Sequence, residues 1–125
     1  MKITIYDDKN HTLVYLYFYA REDCIRLNSG GESDKNCNLL FDDENEWIGL
    51  SIESDYKIQD LINQGNSIIT RTNKTWHVLF DKNVKIVREE LHGCITDLHN
   101  NNYTGIELIL LKGAVPNRKY AIGLL

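Results

Sequence analysis

The sequence predicts an α+β chain, mainly β, made of two related antiparallel β units in tandem with one short helix between them, packed as a single domain. Three observations point there. Residues 37–53, from Cys37 through Leu39-Leu40-Phe41 to Trp47-Ile48-Gly49-Leu50, return in altered form at 94–109, from Cys94 to Tyr103-Thr104-Gly105-Ile106. Each copy reads cysteine, apolar strand, polar turn, aromatic, glycine, apolar strand, and such self-similarity marks a repeated structural unit. Next, Thr12–Arg26 shifted by 62 positions overlies Lys74–Arg88 without a gap, setting Val14, Leu16 and Phe18 against Trp76, Val78 and Phe80. Finally, apolar residues alternate with the period of a half-buried strand along most of the chain, and one stretch alone carries helical spacing.

The first β repeat is expected over 1–54. Residues 2–6 alternate around Ile3 and Ile5, and Asp7-Asp8-Lys9-Asn10 has the composition of a turn. Residues 12–19 are β-branched and aromatic, which suits a pleated surface. A third strand follows at 23–28, and the glycines, asparagines and serines of 28–36 read as a loop. Residues 37–42 and 47–53 then pair as a hairpin around Asp43-Glu44-Asn45-Glu46. The connecting helix is expected over 55–65, where Ile58, Leu61 and Ile62 fall on one stripe. Ser54 or Asp55 suits its start and Gly65 its end. A helix this short depends on packing against the sheet.

The second β repeat is expected over 66–111. Strands at 67–72 and 75–81 flank Asn73-Lys74, a tight turn lies near Leu91-His92-Gly93, and the hairpin 94–99/103–111 turns on Asn100-Asn101-Asn102. Residues 112–125 hold a C-terminal strand at 120–124.

Composition bounds the function. The 125 residues suffice for one compact core, and 42% hydrophobic with 26% charged residues is ordinary for a globular chain. Asp7 and Asp8 come too early for a secretory leader, and no apolar run approaches the ~20 residues a membrane helix needs. Three scattered cysteines do not make a disulfide framework. A cytoplasmic protein with reduced thiols is expected. The net charge of −4 hides an asymmetry: residues 1–64 carry 13 acidic and 6 basic side chains, residues 65–125 carry 5 and 8. The acid concentrates between Asp42 and Asp60, a field that attracts basic partners and repels nucleic acid. The basic residues of the second half are dispersed rather than clustered, so no nucleic-acid partner is expected.

The first copy carries a family likeness. Tyr6-Asp7, Leu13-Val14-Tyr15-Leu16, Asn38-Leu39-Leu40-Phe41-Asp42 and Trp47-Ile48-Gly49-Leu50-Ser51-Ile52-Glu53 resemble the YuzE-like bacterial domains of unknown function. Those small β-rich proteins typically open on Tyr-Asp and end on a Val-Gly-Ile-Glu-Ile strand. The resemblance covers about residues 1–54. The second copy shares Gly105-Ile106-Glu107-Leu108 but lacks the Tyr-Asp opening. What the resemblance implies is a β-rich fold. It implies no catalytic residues, because the family has no established activity.

No chemistry stands out in the motifs. There is no nucleophile elbow, no phosphate-cradling glycine loop and no His-Glu helix motif. The histidines at 11, 77, 92 and 99 lack the spacing of a zinc site, and Cys37 and Cys94 occupy matched strand positions where a small apolar side chain packs. No catalytic residue, metal or cofactor is therefore expected. Two features suit partner binding. Tyr15, Tyr17 and Tyr19 form a row opposite the apolar face of their strand, the kind of side chain that anchors protein interfaces. Asp42, Asp43, Glu44 and Glu46, with Glu53 and Asp55, form an acidic pole that steers a basic partner.

The function expected is a non-enzymatic protein-binding module, best described as a bacterial immunity protein or antitoxin. Its acidic, aromatic surface would occlude the active site of a basic toxin domain, such as a nuclease. Alternatives are a stand-alone YuzE-like protein with a housekeeping or small-ligand role, and a histidine-dependent hydrolase or nuclease. A homodimer is a further partner compatible with this reading; a membrane is not.

Overall fold

A computed structural model describes residues 1–27, 30–62 and 67–121, with the side chains of 25–27 set aside. Its elements are β1 (Lys2–Asp7), β2 (His11–Tyr17), α1 (Arg21–Leu27), β3 (Gly30–Phe41), β4 (Trp47–Glu53), β5 (Lys57–Ile58), β6 (Ile68–Thr72), β7 (Thr75–Leu79), β8 (Arg88–His99) and β9 (Asn102–Leu111). The chain is mostly β and forms a single curled sheet. Its strand order is β1-β2-β9-β8-β3-β4-β7-β6, antiparallel throughout except for short β5, which runs parallel to β9.

That order has a consequence for chain tracing. The hairpin β1–β2 does not extend onto β3–β4 but onto β9, and the hairpin β6–β7 extends onto β4. Registers on the two sides match: Leu16 faces Ile106 and Tyr17 faces Gly105, while Val78 faces Leu50 and Leu79 faces Gly49. At the centre β3 and β8 pair along almost their whole length, from Phe41↔Arg88 past Asn36↔Gly93 to Gly30↔Leu98.

The inward face of the curl holds the core. Val14, Leu16, Phe18, Leu39, Phe41, Leu50, Ile52, Val78, Tyr103, Ile106 and Leu108 are buried there in one cluster. Alternation in β2 supplies its part directly, with Thr12, Val14 and Leu16 buried and their neighbours half-buried. Trp47 and Phe80 meet edge-to-face at 5.0 Å. The amine of Met1 caps one end of this core, donating to Asp60 Oδ2 at 2.6 Å.

Five local expectations are corrected. Residues 55–62 form no helix; they hold β5 and irregular chain, while residues 63–65 lie outside the described set. The backbone donors in and beside this stretch go to distant turns and strand ends: Ser54 N–H to Lys74 O, Lys57 N–H to Asn101 O, Leu61 N–H to Phe18 O. Ile58 is buried but Leu61 is 56% exposed, so the apparent stripe is not a packed face. Helix instead forms at Arg21–Leu27, where a strand was expected, with Glu22 and Asp23 in the first turn favoured by the helix dipole. The segment expected as a loop at 28–36 is strand from Gly30 onward, and β8 runs straight through Leu91-His92-Gly93 without a turn. Each of these strands is held by the other across the centre of the sheet. Of the expected C-terminal strand, Tyr120 and Ala121 are not in a strand and 122–124 lie outside the described residues.

Asparagines carry the left-handed backbone positions of the turns. Asn73, Asn100 and Asn101 have positive φ, as does Asn45 in the acidic turn.

Candidate functional site

Pairing between β3 and β4 runs only from Phe41↔Trp47 to Asn38↔Ser51. Beyond that point the two strands part. Residues 30–37 of β3 keep β8 on one side and, among the described residues, have no strand on the other, while the chain leaving β4 crosses toward β9 through Ser54, Asp55 and Tyr56. The fork opens a cleft of about 730 Å³. One wall is the backbone edge and side chains of Asp34–Asn38, the other is Ser51 and Glu53–Tyr56, with Glu32, Lys74 and Leu91 completing it. Its charged groups are Glu32, Asp34, Glu53 and Asp55 against Lys35 and Lys74, an acidic balance.

A polar network is built into this cleft. The fully buried Tyr103 donates its hydroxyl hydrogen to Glu32 Oε2 at 2.9 Å and shares a 2.6 Å hydrogen bond with Ser54 Oγ. Thr96 Oγ1 donates to the same Glu32 oxygen at 3.1 Å, and Ser54 Oγ accepts the Tyr56 N–H at 3.0 Å. Burial pushes the Tyr103 phenol above its usual range, and Glu32 pushes it further, against the lowering hydrogen bond of Ser54. The network holds the exit of β4 against β9 and fixes Glu32. Tyr56 packs on Tyr103, and Trp76 Nε1–H donates to Tyr56 O at 3.0 Å. On the rim, Lys74 pairs with Asp55 at 3.2 Å.

The residues expected to bind a partner are distributed over this frame unequally. Glu53 and Asp55 line the cleft and are exposed. Asp42, Asp43, Glu44 and Glu46 sit at the opposite end of β4, about 20 Å away by strand rise. Two of those four are structural: Asp42 Oδ1 accepts the N–H groups of Glu44 and Glu46, both at 2.9 Å, and Glu46 Oε2 accepts the Lys119 N–H at 3.1 Å. Asp43 and Glu44 are exposed, and their carboxylates engage no described residue.

The tyrosine row breaks up in space. Tyr19 is buried in the core, because Phe18 and Tyr19 follow the end of β2 and no longer alternate. Tyr15 and Tyr17 are half-buried with ring centroids 4.2 Å apart. Tyr15 hydrogen-bonds to Asp97, and burial first, then that bond, raises its phenol above the usual range. Strands β9, β8 and β3 lie between these tyrosines and β4, so tyrosines and acidic turn are not one patch.

The histidines do not converge. His11 lies beside Asp8 on β2, His77 is on β7, and His92 and His99 are on β8. Among the described residues no group of three or more His, Cys, Asp and Glu side chains is placed to hold a metal.

Sequence reasoning missed Glu32, Lys35, Ser54, Tyr56 and Tyr103. One signal was present: Tyr103 stands where the first copy has Trp47, and a buried tyrosine hydroxyl needs a polar partner. That partner, Glu32, sat in a stretch that read as loop.

No helix among the described residues is long and apolar enough to cross a membrane. No family model matches the chain, and no solved structure matches it. Over 79 residues the chain is 39% identical to Conserved oligomeric Golgi complex subunit 6 of Scheffersomyces stipitis, a stretch covering 62% of this chain and 10% of that protein. The chain thus spans about a tenth of the length of the curated relative it matches.

Proposed function

We propose that this protein is a non-enzymatic binding module for a basic protein partner, of the kind an immunity protein or antitoxin forms with its toxin. The observation that carries this reading is the acidic cleft at the β3/β4 fork. A strand edge that pairs with no described strand borders it, as in interfaces that add a strand to an open sheet. Glu53 and Asp34 offer carboxylates there for lysine or arginine side chains, and such complementarity raises association rates and selects partner charge. The acidic turn at Asp43 and Glu44 is a second steering element on the same molecule. Reduced thiols and a cytoplasmic location belong to the same reading.

The proposal includes the origin of the fold. β1–β4 and β6–β9 descend from two related units whose first hairpins have exchanged places. The strand order supports this, since replacing β1, β2, β3 and β4 by β6, β7, β8 and β9 reverses it onto itself. The matching registers of Leu16↔Ile106 and Val78↔Leu50 support it as well.

The test begins with the reading frame that adjoins this gene. Its product, purified, should bind this protein, and Asp34→Lys with Glu53→Lys should weaken the complex by roughly tenfold or more, mostly at low salt. Binding unchanged by that pair and by Asp43→Lys with Glu44→Lys would remove acidic recognition from the proposal. A neighbouring product that is not toxic and does not bind would remove the immunity role.

A further inference from the structure

We propose that the partner is held as an added β-strand: an extended segment of it, with lysine or arginine at alternate positions, pairs with residues 30–37 of β3. The inference rests on the basic-partner reading above and specifies which part of that partner enters the cleft. The edge is long enough for such a segment. Residues 30–37 span roughly 25 Å at the rise of a strand, and over that length the one described strand that pairs with β3 is β8. Their backbone also hydrogen-bonds to no described turn, loop or cap. Successive residues of a strand direct their N–H and C=O groups to opposite sides, so alternate residues of this stretch aim theirs at the cleft.

The edge is held in shape from behind. Glu32 faces Thr96 and Lys35 faces Cys94, and the register shift between them sets both on the side of the strand that carries Cys94 and Thr96. Thr96 and Tyr103 then fix Glu32 through Oε2, at 3.1 and 2.9 Å. Its other oxygen accepts from no described residue and stays open to the cleft. An edge already fixed in its extended form has little order left to lose when a segment docks on it.

Charge divides between the two faces that an incoming strand would present. Asn38 faces Ser51, and Glu53 follows Ser51 by two residues, so Asn36, Asn38 and Glu53 share one face, with the exposed Asp34 at its rim. Among the described residues neither Asp34 nor Glu53 forms an ion pair, whereas Asp55 has Lys74. Basic side chains of the segment belong on this face. On the other face Lys35 accompanies Glu32 and opposes added positive charge, and a hydroxyl suits the open Glu32 oxygen. A segment that alternates basic with small hydroxyl-bearing residues matches both faces at once.

The probe is a blocked peptide of about nine residues alternating lysine and threonine, with a glutamate–threonine peptide of equal length as control. Calorimetry follows binding, and amide hydrogen exchange on the unsubstituted protein locates it. The lysine peptide should bind saturably and slow exchange within residues 30–37, and the glutamate peptide should bind roughly tenfold or more weakly. Two further lysine peptides carry backbone N-methyl groups, one on its lysines alone and one on its threonines alone. A strand pairs through one edge, and alternate residues supply that edge. One of these two peptides should therefore lose affinity roughly tenfold or more while the other keeps it. Equal affinity of the two overturns strand addition and leaves acidic recognition standing. Equal binding of the lysine and glutamate peptides overturns the basic occupant and leaves strand addition standing. Absence of saturable binding, or exchange slowed only outside 30–37, also overturns the proposal, while the complex with the neighbouring gene's product tests the basic-partner reading separately.

Discussion

The ring of Tyr15 lies across the backbone of Gly105, and its hydroxyl bonds to Asp97 on the strand beyond. A Cβ on Gly105 would overlap that ring, so the glycine is what lets an aromatic from β2 reach over β9 to β8. Gly105→Ala is therefore expected to destabilise the fold by about 1–3 kcal/mol, the usual cost of overpacking. Tyr15→Ala should relieve the overlap, so thermal melts of the two single variants and the double variant should show strong non-additivity. Additive losses would disprove the contact as the cause.

The same tyrosine makes stability pH-dependent on the alkaline side. Its phenol is raised in the fold by burial and by the bond to Asp97. A group with a raised folded pKa stabilises fully below its unfolded value and loses that contribution as pH rises through the folded value. Stability should thus decline above about pH 10, the unfolded phenol range. Tyr15→Phe should flatten part of that decline in denaturant titrations run at increasing pH.

At the acid end the relevant group is Asp7. Arg118 donates to both its oxygens, at 3.1 and 2.9 Å, and Thr12 Oγ1 donates at 2.7 Å. The Arg118 hydrogen bond, then that of Thr12, lowers the carboxyl from 3.8 to about 2. A depressed carboxylate stabilises above its unfolded pKa and loses that contribution as pH falls toward the folded value. The loss should fall between about pH 4 and pH 2, and Arg118→Ala should move the Asp7 midpoint in an NMR titration back toward 3.8.

Tyr103→Phe tests the network beneath the cleft. Removing the hydroxyl takes one hydrogen-bond partner from each of Glu32 and Ser54, which keep Thr96 and the Tyr56 N–H, and should cost about 1 kcal/mol. The phenyl ring keeps the packing against Tyr56. A melting temperature equal to that of the parent would mean that water replaces the hydroxyl without loss.

Asp42 separates folding from binding in the acidic turn. Asp42→Ala removes the acceptor of two backbone N–H groups and should lower stability by about 1 kcal/mol in a denaturant titration. Asp43→Lys and Glu44→Lys should leave stability near the parent value, within about 0.5 kcal/mol, as surface changes do. Partner binding is therefore best tested with the latter pair.

Strands defined by local alternation were legible in the sequence. β1, β2, β4, β6 and β7 fall where Ile3, Val14, Leu50, Ile69 and Val78 set a period of two, and their turns fall on polar residues. Matching Leu16 with Val78 anticipated two residues that are both fully buried. What could not be read was pairing between distant segments. Gly30-Gly31-Glu32-Ser33-Asp34 has the composition of a loop, and only its partner β8 makes a strand of it. Ile58, Leu61 and Ile62 had helical spacing, yet Ile58 pairs with β9, Leu61 N–H donates to Phe18 O and Ile62 N–H to Asp60 Oδ1. The cleft was illegible for the same reason. It exists where β3 prefers β8 and β4 turns away, a choice made between segments and not within one.

The placement of the β1–β2 hairpin on β9, and of β6–β7 on β4, bears on how the chain reaches its native state. Tyr17 must find Gly105 before the first hairpin has a neighbour, and the centre of the sheet closes only when Phe41 meets Arg88. Folding governed by such distant pairings is slow relative to helical proteins of equal size. Neither half of the chain offers its own hairpins a complete seat, so each is a fragment in search of the other. Cut between Ile62 and Ser67 and mixed, the two pieces should reassemble as clasped hands do, and neither should fold alone.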